Sequence, residues 1–198
     1  MKKIIILISA FIFLMSCGGK KVKILVMGKG DIKIEGNKVT VQDGSGHIEK
    51  EMIISKGESV TFEANGTSSS EKIYENGYYI LNLKTDTVVG ALQKLGTDLN
   101  NGKTITFEQL KLIVDSLNNL VIGKNVSAEN KNFFILPNSL KPVSNNLNSK
   151  IYGPYKKVSA VQELGPNGEE PEIYKFYTNK EMRELIADKA KMIPASIN

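Results

Sequence analysis

From residue 22 onward the chain alternates apolar and polar side chains with a period of two, and turn-forming residues interrupt the alternation at short intervals. Ile32, Ile34, Val39 and Val41 alternate with Lys33, Glu35, Thr40 and Gln42 on either side of Gly36-Asn37. Two such runs joined by two residues that tolerate positive φ predict a tight antiparallel hairpin. The same pattern predicts strands over 22–27, 47–55, 59–63, 78–84 and 88–92, with turns at 43–46, 56–57, 65–66 and 85–87. A strand with one apolar face must stack that face against a second sheet. Residues 22–95 are therefore expected to form an all-β unit, a small sandwich or barrel-like sheet. An immunoglobulin-like topology fits the strand count, although the Cys, Trp and Cys landmarks of that fold are missing.

The pattern changes over residues 96–198, which are expected to form an α+β unit. Thr106-Phe107-Glu108-Gln109 reads as a capping box, and Phe107, Leu110, Ile113, Val114, Leu117, Leu120 and Val121 follow on one helical stripe before Gly123. Thr178 and Glu181 repeat the device, and Met182, Leu185, Ile186 and Ile193 form a second stripe ended by Pro194. Between the helices, 133–136 reads as a short buried segment and 142–150, rich in Asn and Ser, as an exposed loop. Segments 151–161 and 172–177 are expected to pair across 165–168. The whole is an α+β chain with two amphipathic helices.

Ahead of the first strand, Lys2 and Lys3 precede an apolar or small run over 4–15, which ends in Leu14-Met15-Ser16-Cys17-Gly18-Gly19. Twelve helical residues cover about 18 Å of a roughly 30 Å hydrocarbon layer, which favours a cleaved export signal over a membrane span. Leu14-Met15-Ser16-Cys17 resembles the lipobox of bacterial lipoproteins. The resemblance implies removal of residues 1–16 and lipidation of Cys17, with 17–21 as a tether. Several acyl chains hold a protein at a membrane where one does not. It also implies a place in the cell envelope: the periplasmic face of the outer membrane where there are two membranes, since Gly18 rather than an acid follows the cysteine, and otherwise the outer face of the cytoplasmic membrane.

Composition narrows the chemistry. One His and one Cys exclude sites that need two of either, so zinc clusters, disulfide staples and redox pairs are not expected. Loss of Lys2 and Lys3 with the signal would take the net charge from +5 to +3. Arg183 is the single arginine, which leaves bidentate phosphate and guanine recognition little to work with, so no nucleic-acid partner is expected. Segment 98–102 with Glu108 matches only the back half of an EF-hand loop, because Leu99 stands where an oxygen ligand belongs. The glycines at 28, 30, 44 and 46 complete no phosphate-binding fingerprint and read as turns. His47 has no assignable nucleophile, and Glu169, Glu170 and Glu172 are the closest cluster of acids for a carboxylate-dependent hydrolase. No cofactor or metal is expected.

The candidate binding patch is aromatic and basic: Tyr152, Tyr155, Lys156, Lys157, Lys175 and Tyr177. Aromatic faces beside cations can grip glycans, peptides or anionic polymers. Alternation places Lys175 and Tyr177 on one strand face and Tyr174 and Phe176 on the other, so some of these rings belong to the core. Tyr155 with Lys156 and Lys157, beside Gly153-Pro154, is expected to be exposed. The sequence thus points to a lipid-anchored, non-catalytic binding or scaffolding protein, partnered by the membrane and by other envelope proteins or a glycan. A glycan- or small-ligand-binding lipoprotein and a hydrolase are the alternatives.

Overall fold

In the computed structural model, which describes residues 21–93, 105–159, 168 and 170–193, the Gly36-Asn37 turn joins β1 (Lys21–Glu35) to β2 (Lys38–Ser55) in one long antiparallel hairpin. Strand β2 continues through residues 43–46, where the sequence predicts a turn. The glycines there serve close approach. A Cβ on Gly44 would stand 2.7 Å from Cα of Gly30, beside the register shift between Lys29 and Asp31. Glycine lets the two strands close over this bulge.

Four further strands complete the first sheet: β3 (Ser59–Ala64), β4 (Thr67–Lys72), β5 (Gly77–Asn82) and β8 (Ser139–Ser144), in the order β4-β3-β2-β1-β5-β8. The sheet curls around a core that includes Val22, Ile24, Ile32, Val39, Phe62 and Leu81. The second sheet, ordered β7-β6-β10-β9, contains β6 (Val88–Gln93), β7 (Asn132–Ile135), β9 (Lys150–Tyr152) and β10 (Ile173–Thr178). Its Val88, Phe133, Ile135, Tyr174 and Phe176 pack on Leu25, Met27, Tyr78 and Ile80 from the back of β1 and β5. These two parallel-paired strands are buried on both faces, which explains why 24–27 and 78–81 run apolar without alternating. Each sheet draws strands from both sides of residue 95.

On its outer face the second sheet carries α1 (Phe107–Val121) and α2 (Asn179–Ala190), whose Val114, Leu120, Val121, Met182 and Ile186 pack with Val89. Both capping boxes form as predicted, Thr106 with Gln109 and Thr178 with Glu181. Phe107 and Ile113, expected on the buried stripe of α1, remain exposed. The chain is thus a sheet-rich α+β fold. Other expectations change. Strand β4 was not predicted, because its sequence TSSSEK has no apolar face. The expected loop over 142–150 is in part β8, an edge strand that tolerates Pro142, and in part the start of β9. Strands β9 and β10 pair in parallel, so no hairpin joins them across 165–168. Cys17, segment 98–102 and Glu169 lie outside the described residues.

Candidate functional site

The structure separates the six patch residues by depth. Tyr155, Lys156 and Lys157 are exposed, and Tyr152 is half-buried on β9. Lys175, expected as a surface cation, is instead buried on β10 beneath the loop that follows β9. Its Nζ donates to the carbonyls of Gly153 at 2.6 Å and Phe176 at 2.8 Å, and stands 4.5 Å from the ring centroid of Tyr177. Burial pulls the Lys175 pKa below the ordinary lysine value. Lys175 therefore props the 153–156 turn from below, and Tyr177 packs under the helices.

Under the exposed residues lies a charged network that sequence reasoning missed. Strand period two puts His47 and Glu49 on one face of β2. The Glu49 side chain is only 1% exposed, and its Oε1 accepts from His47 Nε2 at 2.6 Å. Lys156 Nζ forms an ion pair with Oε2 at 2.6 Å. Burial alone would raise the Glu49 pKa, but the His47 hydrogen bond and the Lys156 charge outweigh it and hold the carboxyl below its usual range. On the other side of the ring, Lys84 Nζ lies 3.2 Å from His47 Nδ1. An ammonium only donates, so Nδ1 is the acceptor and Nε2 carries the hydrogen given to Glu49.

Lys84 is positioned by a buried asparagine. Asn82 Oδ1 accepts from the Lys84 backbone, while its Nδ2 reaches the carbonyls of Asp86, Ile135 and Leu136 at 2.9–3.2 Å. This fixes the turn after β5, and burial lowers the Lys84 pKa. Gly153 completes the packing, since a Cβ there would overlap the Glu49 carboxylate.

Tyr155 caps the network and is 62% exposed. Its ring meets His47 edge-on at 5.3 Å, Lys84 Nζ stands 5.3 Å from its centroid, and its backbone N–H donates to Glu181 Oε1 at 2.9 Å. Glu181 uses its other oxygen to cap α2, so the helix start and the tyrosine are held by one carboxylate. Tyr155 also has φ +64. Among the described non-glycine residues with positive φ, Asn65, Asn125 and Asn138 are of a type that accepts the left-handed region, whereas Tyr155 and Lys131 are not. Strain held by surrounding contacts concentrates at functional positions.

Both nitrogens of His47 are occupied, by Glu49 and Lys84, which leaves neither free to take a proton from a substrate. Of the acid cluster, Glu170 is exposed, and Glu172 accepts from Lys131, Ser144, Ser149 and Tyr174. Burial alone would raise the Glu172 pKa, but the Lys131, Ser144 and Ser149 donors outweigh it and leave the carboxyl below its ordinary value. A general acid needs the opposite shift. Among the described residues, no group of three or more His, Cys, Asp or Glu could hold a metal ion, and no helix is long and apolar enough to cross a membrane. Comparison with family models, curated proteins and solved structures returns no match.

Proposed function

We propose that this chain is a lipid-anchored bacterial cell-envelope protein with a non-catalytic binding or scaffolding role, and that Tyr155, Lys156 and Lys157 are its contact surface. The observation that carries the reading is an exposed tyrosine in a left-handed backbone, pinned by His47, Lys84 and Glu181. A ring fixed in advance loses little freedom on binding, and aromatic anchors of this kind dominate contact energies. The exposed Lys156 and Lys157 beside it favour an acidic partner.

The anchor rests on the lipobox resemblance at Cys17, and the curled first sheet, which begins with β1, is what it tethers. Strand β1 starts four residues after Cys17, a reach of at most about 14 Å, so the folded body would lie close to the lipid surface. The occupied histidine nitrogens support the non-catalytic reading.

The test is in-cell cross-linking of the tagged lipoprotein, with Cys17→Ser and Tyr155→Ala as controls. A defined set of envelope proteins captured only by the anchored chain, and lost with Tyr155→Ala, supports the proposal. Full cellular activity of a soluble Cys17→Ser form, or capture indifferent to Tyr155, overturns it. A glycan captured in place of protein favours the glycan-binding alternative.

A further inference from the structure

A second site lies at the other end of the molecule. A cleft of about 410 Å³ opens between β7, β8, β10 and the segment before β5, with Lys131, Glu172, Glu75 and Asn145 among its polar residues and Phe133 and Pro142 among its apolar ones. Its base is a fixed polar network. Glu172 Oε2 accepts from Ser144 Oγ at 2.7 Å, Ser149 Oγ at 3.1 Å and the Tyr174 hydroxyl at 3.3 Å, while Oε1 pairs with Lys131. A fully connected network of this kind is rigid.

Among the described residues other than glycine and asparagine, Lys131 shares positive φ with Tyr155, at +51. Its backbone N–H is tied to Ala128 and its carbonyl to Leu92. The fold thus keeps an ammonium at the rim of the cleft in a strained backbone, and one carboxylate contact leaves further donors on Nζ. With Glu75 and Glu172 against Lys131, the charged side chains of the lining sum to −1, which disfavours an anion. Carboxylates, amides and an ammonium beside an apolar wall match a ring with hydroxyls on its edge and C–H groups on its face.

We infer that this cleft binds one pyranose residue, neutral or amino-bearing, of a glycan or glycolipid. The site is independent of the Tyr155 surface. Val22 pairs with Gly77 at the cleft end of β1 and Lys29 with His47 at the other, so seven residues, roughly 23 Å of strand, separate the two. On the anchored reading, the cleft end is also where the tether enters, which places the site near the membrane.

The test is amide NMR on the full mature chain carrying Cys17→Ser, titrated with methyl glucoside, N-acetylglucosamine and glucosamine. At least one sugar is expected to give saturable shifts at Lys131, Asn145 and Asn146. At exposed positions, Asn145→Ala weakens binding about five-fold, the worth of one neutral hydrogen bond, and Glu75→Ala about ten-fold, that of a bond to a charged group, while Tyr155→Ala leaves it unchanged. Co-sedimentation of the same chain with vesicles that contain or lack glucosyl diacylglycerol separates the sources: extra binding to the glycolipid vesicles assigns a lipid headgroup, and none assigns a free glycan. The absence of saturable shifts with all three sugars, shifts centred on Tyr155, or binding indifferent to both cleft variants overturns the inference.

Discussion

Replacing Glu49 by Gln keeps the size of the side chain and removes its charge, which isolates what the buried carboxylate contributes. The variant loses the charge that strengthens the 2.6 Å hydrogen bond from His47, while the Lys156 contact adds little because that lysine is half-exposed. A hydrogen bond to a charged group contributes about 1.5–3 kcal/mol against about 0.5–1.5 kcal/mol for the neutral bond that Gln retains, so the expected loss is about 1 kcal/mol. For a chain of this size that lowers Tm by roughly 2–4 °C. The pH dependence provides the sharper check. Glu49 is held below its ordinary pKa, so the stability it supplies is present above the unfolded value of about 4.3 and is lost as pH falls through the native value. Thermal melts of wild type and Glu49→Gln from pH 7 to pH 3 should show a full gap at neutrality that closes in acid. A variant that melts within about 1 °C of wild type at pH 7, or a gap that widens in acid, refutes the reasoning.

Gly90→Ala places a Cβ 2.6 Å from the Lys175 carbonyl and against the Phe176 ring, and the resulting overpacking should cost about 1–3 kcal/mol in denaturant unfolding. Thr178→Ala should cost about 1–2 kcal/mol and Thr106→Ala about 1 kcal/mol, because Thr178 is buried and its partner Glu181 also holds Tyr155; equal losses in chemical denaturation would argue against that coupling. Burial depresses the Lys84 pKa, so the unfolded chain retains this proton to higher pH than the fold does. Wild type should therefore gain stability relative to Lys84→Met as pH rises from 7 towards 10.5, and melting curves across that range that stay parallel would contradict the burial effect.

Local chemistry was legible in the sequence where a few neighbouring residues decide the structure. Thr106 with Gln109, Thr178 with Glu181 and the Gly36-Asn37 turn each carry their signal within four residues, and each forms. The parallel pairing of β1 with β5 and of β9 with β10 depends on contacts far apart in the chain, and alternation says nothing about which strand lies beside which. Gly44 misled because close approach and reversal ask for the same residue. At the site, the exposure of Tyr155 was legible from its setting after Gly153-Pro154, but the burial of Lys175 was not, since a lysine on an alternating strand reads as the solvent face. His47 and Glu49, two residues apart on one strand, held a usable signal; their partners Lys84 and Glu181 come from other elements and could not be assigned without the fold.

The borders of both sheets bear on how such molecules behave when crowded. In the first sheet one border is β4, polar along its length and ending in Glu71 and Lys72, and the other is β8, where Pro142 has no N–H to offer an incoming strand. In the second, the borders are β7 and β9, only four and three residues long. Under the proposed anchor, copies confined to two dimensions would meet far more often than copies in free solution, and an open ladder would then recruit its neighbours into fibrils. These borders give a strand of another copy little to pair with, so dense packing on a surface need not end in aggregation.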